Sequence, residues 1–319
     1  MQQNFLIKII AFLCALIFLV LSLCGCAAPS KQQEDGQTVS FTDALGRELK
    51  LSVKPARVAA LLGSFADVWT LAGGSLCAAS DDAWEDFGLT SDGAISLGGA
   101  HSPSLELLIS AEPDLVLASA STASHVALRE GLEQMGIAVV YFDVDHFEDY
   151  LAMLDICTDL TERKDLYEEN GLALKEEIDR IKADYAALSF SERERSVLLL
   201  RAASSFVRAK GSEGTVLGEM LFDMGCINIA DNDKDLLENL SVESVIEQEP
   251  THIFVVTMGS NPDAAKTALE NLIKENPAWG SLKAVREGRV HLMDTTLFHT
   301  KPNARWAQAY RVLYETLTK

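Results

Sequence analysis

The phrase SLELLISAEPDLVLAS, residues 104–119, returns later in the chain as SVESVIEQEPTHIFVVT, residues 241–257. Each copy carries a Ser, a Glu two residues on, a Glu-Pro pair and then an apolar strand. A phrase that repeats with its strand attached implies two lobes of similar build. The surroundings agree. In the first half, ARVAALLG, DLVLAS and GIAVVYFD are short apolar runs, with a helical segment at Phe65–Leu71 after the first of them. SPSLELLISAEP and ASHVALREGLEQM read as helices between the later runs, with Ser102 or Ser104 as a cap and Pro113 as a stop. VSFTDALGRELKLSV alternates around Leu45-Gly46 and reads as a hairpin.

The second half repeats the alternation. SVLLLRA, HIFVVT and RVHLMD are strands, and GTVLGEMLFDMG, SVESVIEQEP, PDAAKTALENLIKENP and NARWAQAYRVLYETLT are helices. Short apolar strands that alternate with helices indicate mostly parallel sheets covered on both faces. Between the halves, Leu174, Ile178, Ile181, Tyr185 and Leu188 recur at helical spacing, so Asp165–Leu188 is expected to be one long connecting helix. Gly171 is a weak point in it that need not break it.

The opening stretch sets where such a body would sit. Lys8 and the apolar run Phe5–Leu23 have the layout of an export signal. Gly25 before Cys26, with Leu23 three before it, resembles the bacterial lipoprotein cleavage box. That resemblance makes Cys26 the lipid-bearing residue (the palmitate-type anchor of a membrane lipoprotein) and Pro29–Thr38 a polar tether. More than one acyl chain is needed for stable anchoring, at about 0.8 kcal/mol per buried methylene. The net charge of −20 becomes −21 once Lys8 leaves with the signal. That charge is wrong for a phosphate-backbone binder, and no nucleic acid is expected as a partner. Cys77, Cys157 and Cys226 are scattered through the body with no C-x-x-C pair, which fits buried free thiols.

No G-x-G-x-x-G follows the first strand, and G-x-x-x-x-G-K-[ST], H-E-x-x-H and G-x-S-x-G are missing. No His/Asp/Glu cluster gathers the three or four ligands that a bare divalent ion takes, so no metal site and no resident cofactor are expected. Two lobes on a tether suit capture better than turnover, with the ligand between the carboxyl ends of the strands.

With these features in order, the chain resembles the substrate-binding proteins of bacterial ABC importers, in the class that handles iron–siderophores, haem and cobalamin. The matching stretches are VAALLGSFADVWTLAGG, ISLGGAHSPSLELLISAEPDLVLAS, GIAVVYFD, the long helix, LSVESVIEQEPTHIFVV and WGSLKAVREGRVHLMD. The resemblance implies two Rossmann-like α/β/α lobes joined by one long α-helix, the helical-backbone periplasmic binding protein fold, with a ligand cleft between lobes that move little. It divides the chain into a signal at 1–25, a lipidated tether at 26–38, lobes at 39–164 and 191–319, and a connecting helix at 165–190. It implies a monomer that is lipid-anchored outside the cytoplasm and delivers its ligand to an ABC permease dimer and its ATPase. It also carries over two docking carboxylates, Glu106 and Glu243.

The cleft lining is expected from strand ends and the loops after them. The first lobe offers Ser64, Phe65, Trp84, His101, Ser119–Thr122 and Phe142. The second offers Arg201, Phe206, Arg208, Met258, Phe298, His299, Arg305 and Trp306. Phe65, Trp84 and Trp306 have core readings as well. Arg201 and Arg208 flank a Ser-Ser-Phe-Val turn, where a guanidinium fork suits a ligand carboxylate. Haem would need an axial ligand such as His101, His299 or Met258, with an arginine for its propionates. Cobalamin would need aromatic walls such as Phe65, Trp84 and Phe206. The expected ligand is an iron–siderophore or related iron chelate, with haem or a corrinoid as the alternative. An enzyme acting on a metal chelate would need a nucleophile–base pair or a redox site, and neither is visible.

Overall fold

The structure, a computed structural model, describes residues 37–258 and 262–319. The expected signal, Cys26 and the tether through residue 36 lie outside the described residues. Among the described residues no helix is long and apolar enough to cross a membrane. The chain begins with the expected hairpin, β1 (Thr38–Thr42) and β2 (Glu48–Ser52). Asp43 closes its turn by accepting the N–H groups of Leu45 and Arg47, both at 3.0 Å.

The first half builds a parallel sheet from β3 (Val58–Ala60), β4 (Leu76–Ala79), β5 (Ile95–Ser96), β6 (Leu115–Ser119) and β7 (Ala138–Phe142), in the order β5-β4-β3-β6-β7. The second half builds another from β8 (Ser196–Ala203), β9 (Phe206–Lys210), β10 (Ile227–Asn228), β11 (His252–Thr257) and β12 (Val290–Met293). Its order is β10-β8-β11-β12, with β9 antiparallel to β8. Central strands β3, β6 and β11 are buried along their whole length, as sheets covered on both faces require. The apolar runs read from the sequence are all present. The strands β4, β5, β9 and β10 are additions: β4 is built of small residues and β9 begins inside the stretch read as a turn.

The repeated phrase takes the same conformation twice. Ser104 and Ser241 cap their helices, accepting the N–H of Leu107 and of Ser244 at 3.3 Å each. Glu112 and Glu249, each just before its proline, both take left-handed backbone, with φ of 46° and 44°. The following strands, β6 and β11, each lie between the first and the last of the long strands of their sheet.

The connecting helix runs from Lys164 to Ala187 with one π-turn at Glu168–Leu172. Gly171 sits in that turn because a Cβ there would stand 3.1 Å from Leu151 Cδ2 and 3.3 Å from Leu154 Cδ2. The helix therefore lies close against Phe147–Thr161. Tyr150 Oη donates to the carbonyl of Asn170 at 2.7 Å, partnering a group inside the loosened turn.

One apolar cluster runs through both halves. It joins Phe65, Trp69 and Phe147 of the first to Leu199, Met220, Phe254, Trp306 and Tyr310 of the second. Trp306 meets Phe147 edge-on, with ring centroids 5.9 Å apart. A shared core of this kind resists relative motion, because separating the halves would expose it to water.

Candidate functional site

The carboxyl ends of the two sheets face each other. Ser64 follows β3 and Asp145 follows β7, while His299, Lys301 and Asn303 follow β12. Asn303 Nδ2 donates to the carbonyl of Ser64 at 2.9 Å and to Asp67 Oδ2 at 2.8 Å. Asn303 is 1% exposed and has a φ of 49°, a conformation asparagine tolerates better than most residues. Lys301 Nζ lies 3.7 Å from Asp145, and His146 Nδ1 lies 3.3 Å from Glu219. Burial holds the Asp67 carboxyl above its ordinary range, opposed by the Asn303 hydrogen bond.

On the second lobe, strand pairing gathers cations. Arg201 on β8 stands directly opposite Arg208 on β9, and Leu199 stands opposite Lys210. Side chains alternate along a strand, so Phe206, Arg208 and Lys210 share one face of β9, and their partners Ala203, Arg201 and Leu199 share the same face of β8. On the other side of β8, Val256 of β11 is Arg201's neighbour. His299, half-buried, closes the group, lining the same small recess as Arg201, Lys210 and Phe298. Burial, and then the charges of Arg201 and Lys301, hold its imidazole below the usual range. Lys210 is likewise held low by burial and by Arg201 and Arg208, and Arg201 by burial.

These cations stand beside an interlobe cavity whose acids are mostly paired elsewhere. The cavity, of about 810 Å³, is bordered by Asp145, His146, Ser212, Glu219, Phe222 and Asp231, among others. Of its acids, Asp231 accepts from Ser212 N–H at 2.6 Å and Ser212 Oγ at 2.9 Å, and Glu219 accepts from Gly214 N–H at 3.0 Å, while the exposed Glu213 carboxylate makes no hydrogen bond or ion pair among the described residues. Among the described residues, the side chains of Arg201, Arg208 and Lys210 make no hydrogen bond or ion pair. Arg208 lies over the Phe206 ring, with its guanidinium carbon 4.9 Å from the centroid. In a chain of net charge −20, leaving three cations without carboxylates sets up a local positive field that favours an anion.

The first lobe holds buried polar groups behind its strand ends. Helix Gly63–Leu71 begins where Gly63 N–H donates to Asp82 Oδ2 at 2.8 Å, and a Cβ on Gly63 would collide with Ala83 N at 2.5 Å. Ser80 Oγ and Asp82 Oδ1, shortly after β4, and Ser124 Oγ, in the first turn of helix Ala123–Gln134, are buried with no partner within the protein. His125 is wholly buried; its Nδ1 accepts the N–H of Ser119 at 3.2 Å, so Nε2 carries the proton and donates to Ala100 O at 2.7 Å. This pins the loop carrying His101 to the end of β6. Burial holds His125 below its ordinary range, with a smaller push from His101.

The residues expected in the cleft divide accordingly. Arg201, Phe206, Arg208 and His299 come together, and Met258 extends the ladder beside them, its N–H donating to Ala202 O at 2.9 Å. Phe65 instead belongs to the core, at 1% exposure and edge-on to Phe142 at 6.0 Å. Phe142, Phe298 and Trp306 are buried too. Trp84 is half-buried against the shared core, and His101 is exposed. Glu106 and Glu243 are exposed at matching places in helices Leu105–Ser110 and Val242–Gln248. Sequence reasoning missed Lys210, Asn303 and His125. Lys210 alone left a signal, sitting two residues after Arg208 in an alternating stretch.

Residues 58–297 match the family model described as Periplasmic binding protein. YhfQ of Bacillus subtilis, named as an ABC transporter substrate-binding lipoprotein, is 24% identical, with 95% of each chain covered. YfmC of the same organism, named as an Fe(3+)-citrate-binding protein, is 25% identical, with 90% of each covered. Among solved structures, SirA of Staphylococcus aureus, crystallised with staphyloferrin B, superposes with a TM-score of 0.67 at 20% identity, over 88% of this chain and 99% of that one. This last likeness concerns the fold.

Proposed function

Since the chain belongs to the periplasmic binding protein family, we propose that it is the solute-binding subunit of an ABC importer, capturing an iron–siderophore or related iron chelate. It works outside the cytoplasm, held to the membrane through Cys26, and hands its ligand to a permease dimer driven by an ATPase. The observation that carries the reading is the cavity between the lobes, bordered by Asp145 and His146 of the first and by Ser212, Glu219 and Phe222 of the second, next to a strand pair that carries three unpaired cations. The names of YhfQ and YfmC support the same class of role.

Capture here needs no large closure. Asn303 and the shared core hold the lobes at a fixed separation, so the site is preorganised and little ordering cost falls on binding. Delivery then depends on orientation. Glu106 and Glu243 put one exposed carboxylate on each lobe, and two such points meeting basic residues of the permease would fix the docking register. The protein acts as a monomer and does no chemistry on its ligand. Haem is the second reading, since His299 beside Arg201 joins a possible axial ligand to a base for a propionate.

Native mass spectrometry of the protein incubated with ferric siderophores, haemin and cyanocobalamin tests the proposal. A one-to-one adduct with an iron chelate is the expected result. No adduct with any member would overturn it.

A further inference from the structure

Glu106 and Glu243 hold the same place in the repeated phrase, yet the helices that carry them present unlike surfaces. Resting on the importer reading, we infer that the two lobes grip the permease by different means. The first-lobe helix buries an apolar collar of Leu105, Leu107 and Ile109 around Glu106, and the second-lobe helix holds by charge.

Matching the two copies residue by residue isolates the difference. Leu105, Leu107 and Ile109 are 39%, 41% and 39% exposed, and helix Leu105–Ser110 turns only Leu108 fully into the body. Their counterparts are Val242, which is buried, Ser244, which is polar and half-buried, and Ile246, which is exposed. Where the first copy has Ser110, the second has Glu247, also exposed. Helix Lys234–Asn239 packs beside the second copy and adds exposed Lys234, Asp235 and Glu238, while its exposed Leu237 borders the interlobe cavity. One helix thus sets three aliphatic side chains around a single acid. The other sets one aliphatic side chain among acids.

A single exposed aliphatic residue is ordinary on a protein surface, but several gathered around one charge mark a contact surface. The centre of an interface excludes water, and a charge pair closed off there attracts more strongly than one at a wet rim. Glu106 is free for such a pair, since its carboxylate makes no hydrogen bond or ion pair among the described residues. Glu243 already accepts from Ser241 Oγ at 3.4 Å and stands among other exposed acids, where salt screens its pull on a base. Complementarity then fixes the chemistry of the partner on each side. The first helix fits an apolar permease surface holding one base, and the second fits a basic, hydrated one.

The test takes the permease–ATPase complex that co-purifies with the tagged full chain from native membranes, sets it in nanodiscs, and measures the chain's affinity for it at low and high salt. Leu107→Ser combined with Ile109→Ser is expected to weaken binding by roughly tenfold or more at both salt concentrations. Glu243→Gln combined with Glu247→Gln is expected to weaken it at low salt only, flattening the salt dependence. Ile246→Ser should cost less than Leu107→Ser. Thermal unfolding of every variant should stay close to that of the parent, because the replaced side chains are exposed. Unchanged affinity in the Leu107→Ser, Ile109→Ser variant, or the same salt response in both double variants, would overturn the inference and leave the importer reading standing. A parent chain that retains no permease–ATPase complex would overturn both.

Discussion

Arg201 and Arg208 face each other across the β8–β9 pair with no carboxylate between them. Such a pair costs stability in the ligand-free protein, and a site of this kind is expected to trade stability for binding. Arg208→Gln should therefore raise the ligand-free stability by about 0.5–1 kcal/mol, the size of a cross-strand pair effect. Urea unfolding with and without the bound iron chelate checks this. A variant both less stable and unimpaired in binding would show that Arg208 serves the fold instead.

Asn303 makes the buried polar link between the lobes, to Ser64 O and Asp67 Oδ2. Asn303→Ala removes both bonds, leaves the half-buried Asp67 carboxyl without its donor, and places alanine at a φ of 49°. The expected loss is about 2–4 kcal/mol in urea unfolding. Asn303→Gly relieves the backbone alone and should recover only a minor part of that loss. Full recovery would mean that the cross-lobe hydrogen bonds contribute little.

At the opposite end of the second sheet, His252 Nδ1 lies 3.0 Å from His291 Nε2, so one ring must donate and the other accept. Burial, with His291 and Arg289 nearby, lowers His252 to about 4. Burial and Arg289 also lower His291, and Glu287, Arg289 and Lys319 border the same recess. The unfolded chain takes up protons near pH 6.5, whereas the folded chain resists until about pH 4. Folding stability is therefore full above pH 6.5 and falls as pH drops toward 4, by up to roughly 3 kcal/mol from His252. His252→Phe should flatten that part of the profile. An unchanged slope between pH 6.5 and 4 would refute the assignment.

Glu106 and Glu243 occupy equivalent exposed positions on the two copies of the repeated phrase. The double substitution Glu106→Lys, Glu243→Lys should leave ligand affinity and thermal stability nearly unchanged, shifting stability by no more than about 1 kcal/mol. It should abolish stimulation of the cognate transporter's ATPase. Retained stimulation would place the docking surface elsewhere.

The repeated phrase was legible because each lobe buries a strand along its full length and marks its entrance with a proline; those features are local and leave a pattern. The connecting helix was legible for the same reason, through Leu174, Ile178, Ile181, Tyr185 and Leu188. Gly171 read as a weak spot, but the close packing of Leu151 and Leu154 against the π-turn there involves contacts 20 and 17 residues away. The arginines were visible as residue types. Their pairing was not, since it depends on β9 folding back on β8 in one register. Asn303 had no signal, because its partners Ser64 and Asp67 lie more than 230 residues earlier. Phe65 was misplaced for a related reason: the helix start that brings it to the cleft side also turns its ring into the shared core.

The most direct test is a crystal structure of the protein with the iron chelate that forms its one-to-one adduct, with the iron located by anomalous scattering. One iron position is predicted between the lobes, with the chelate touching Arg201, Arg208 and Lys210. Iron found outside the cleft, or bound within it while those three side chains stay uncontacted, would contradict it.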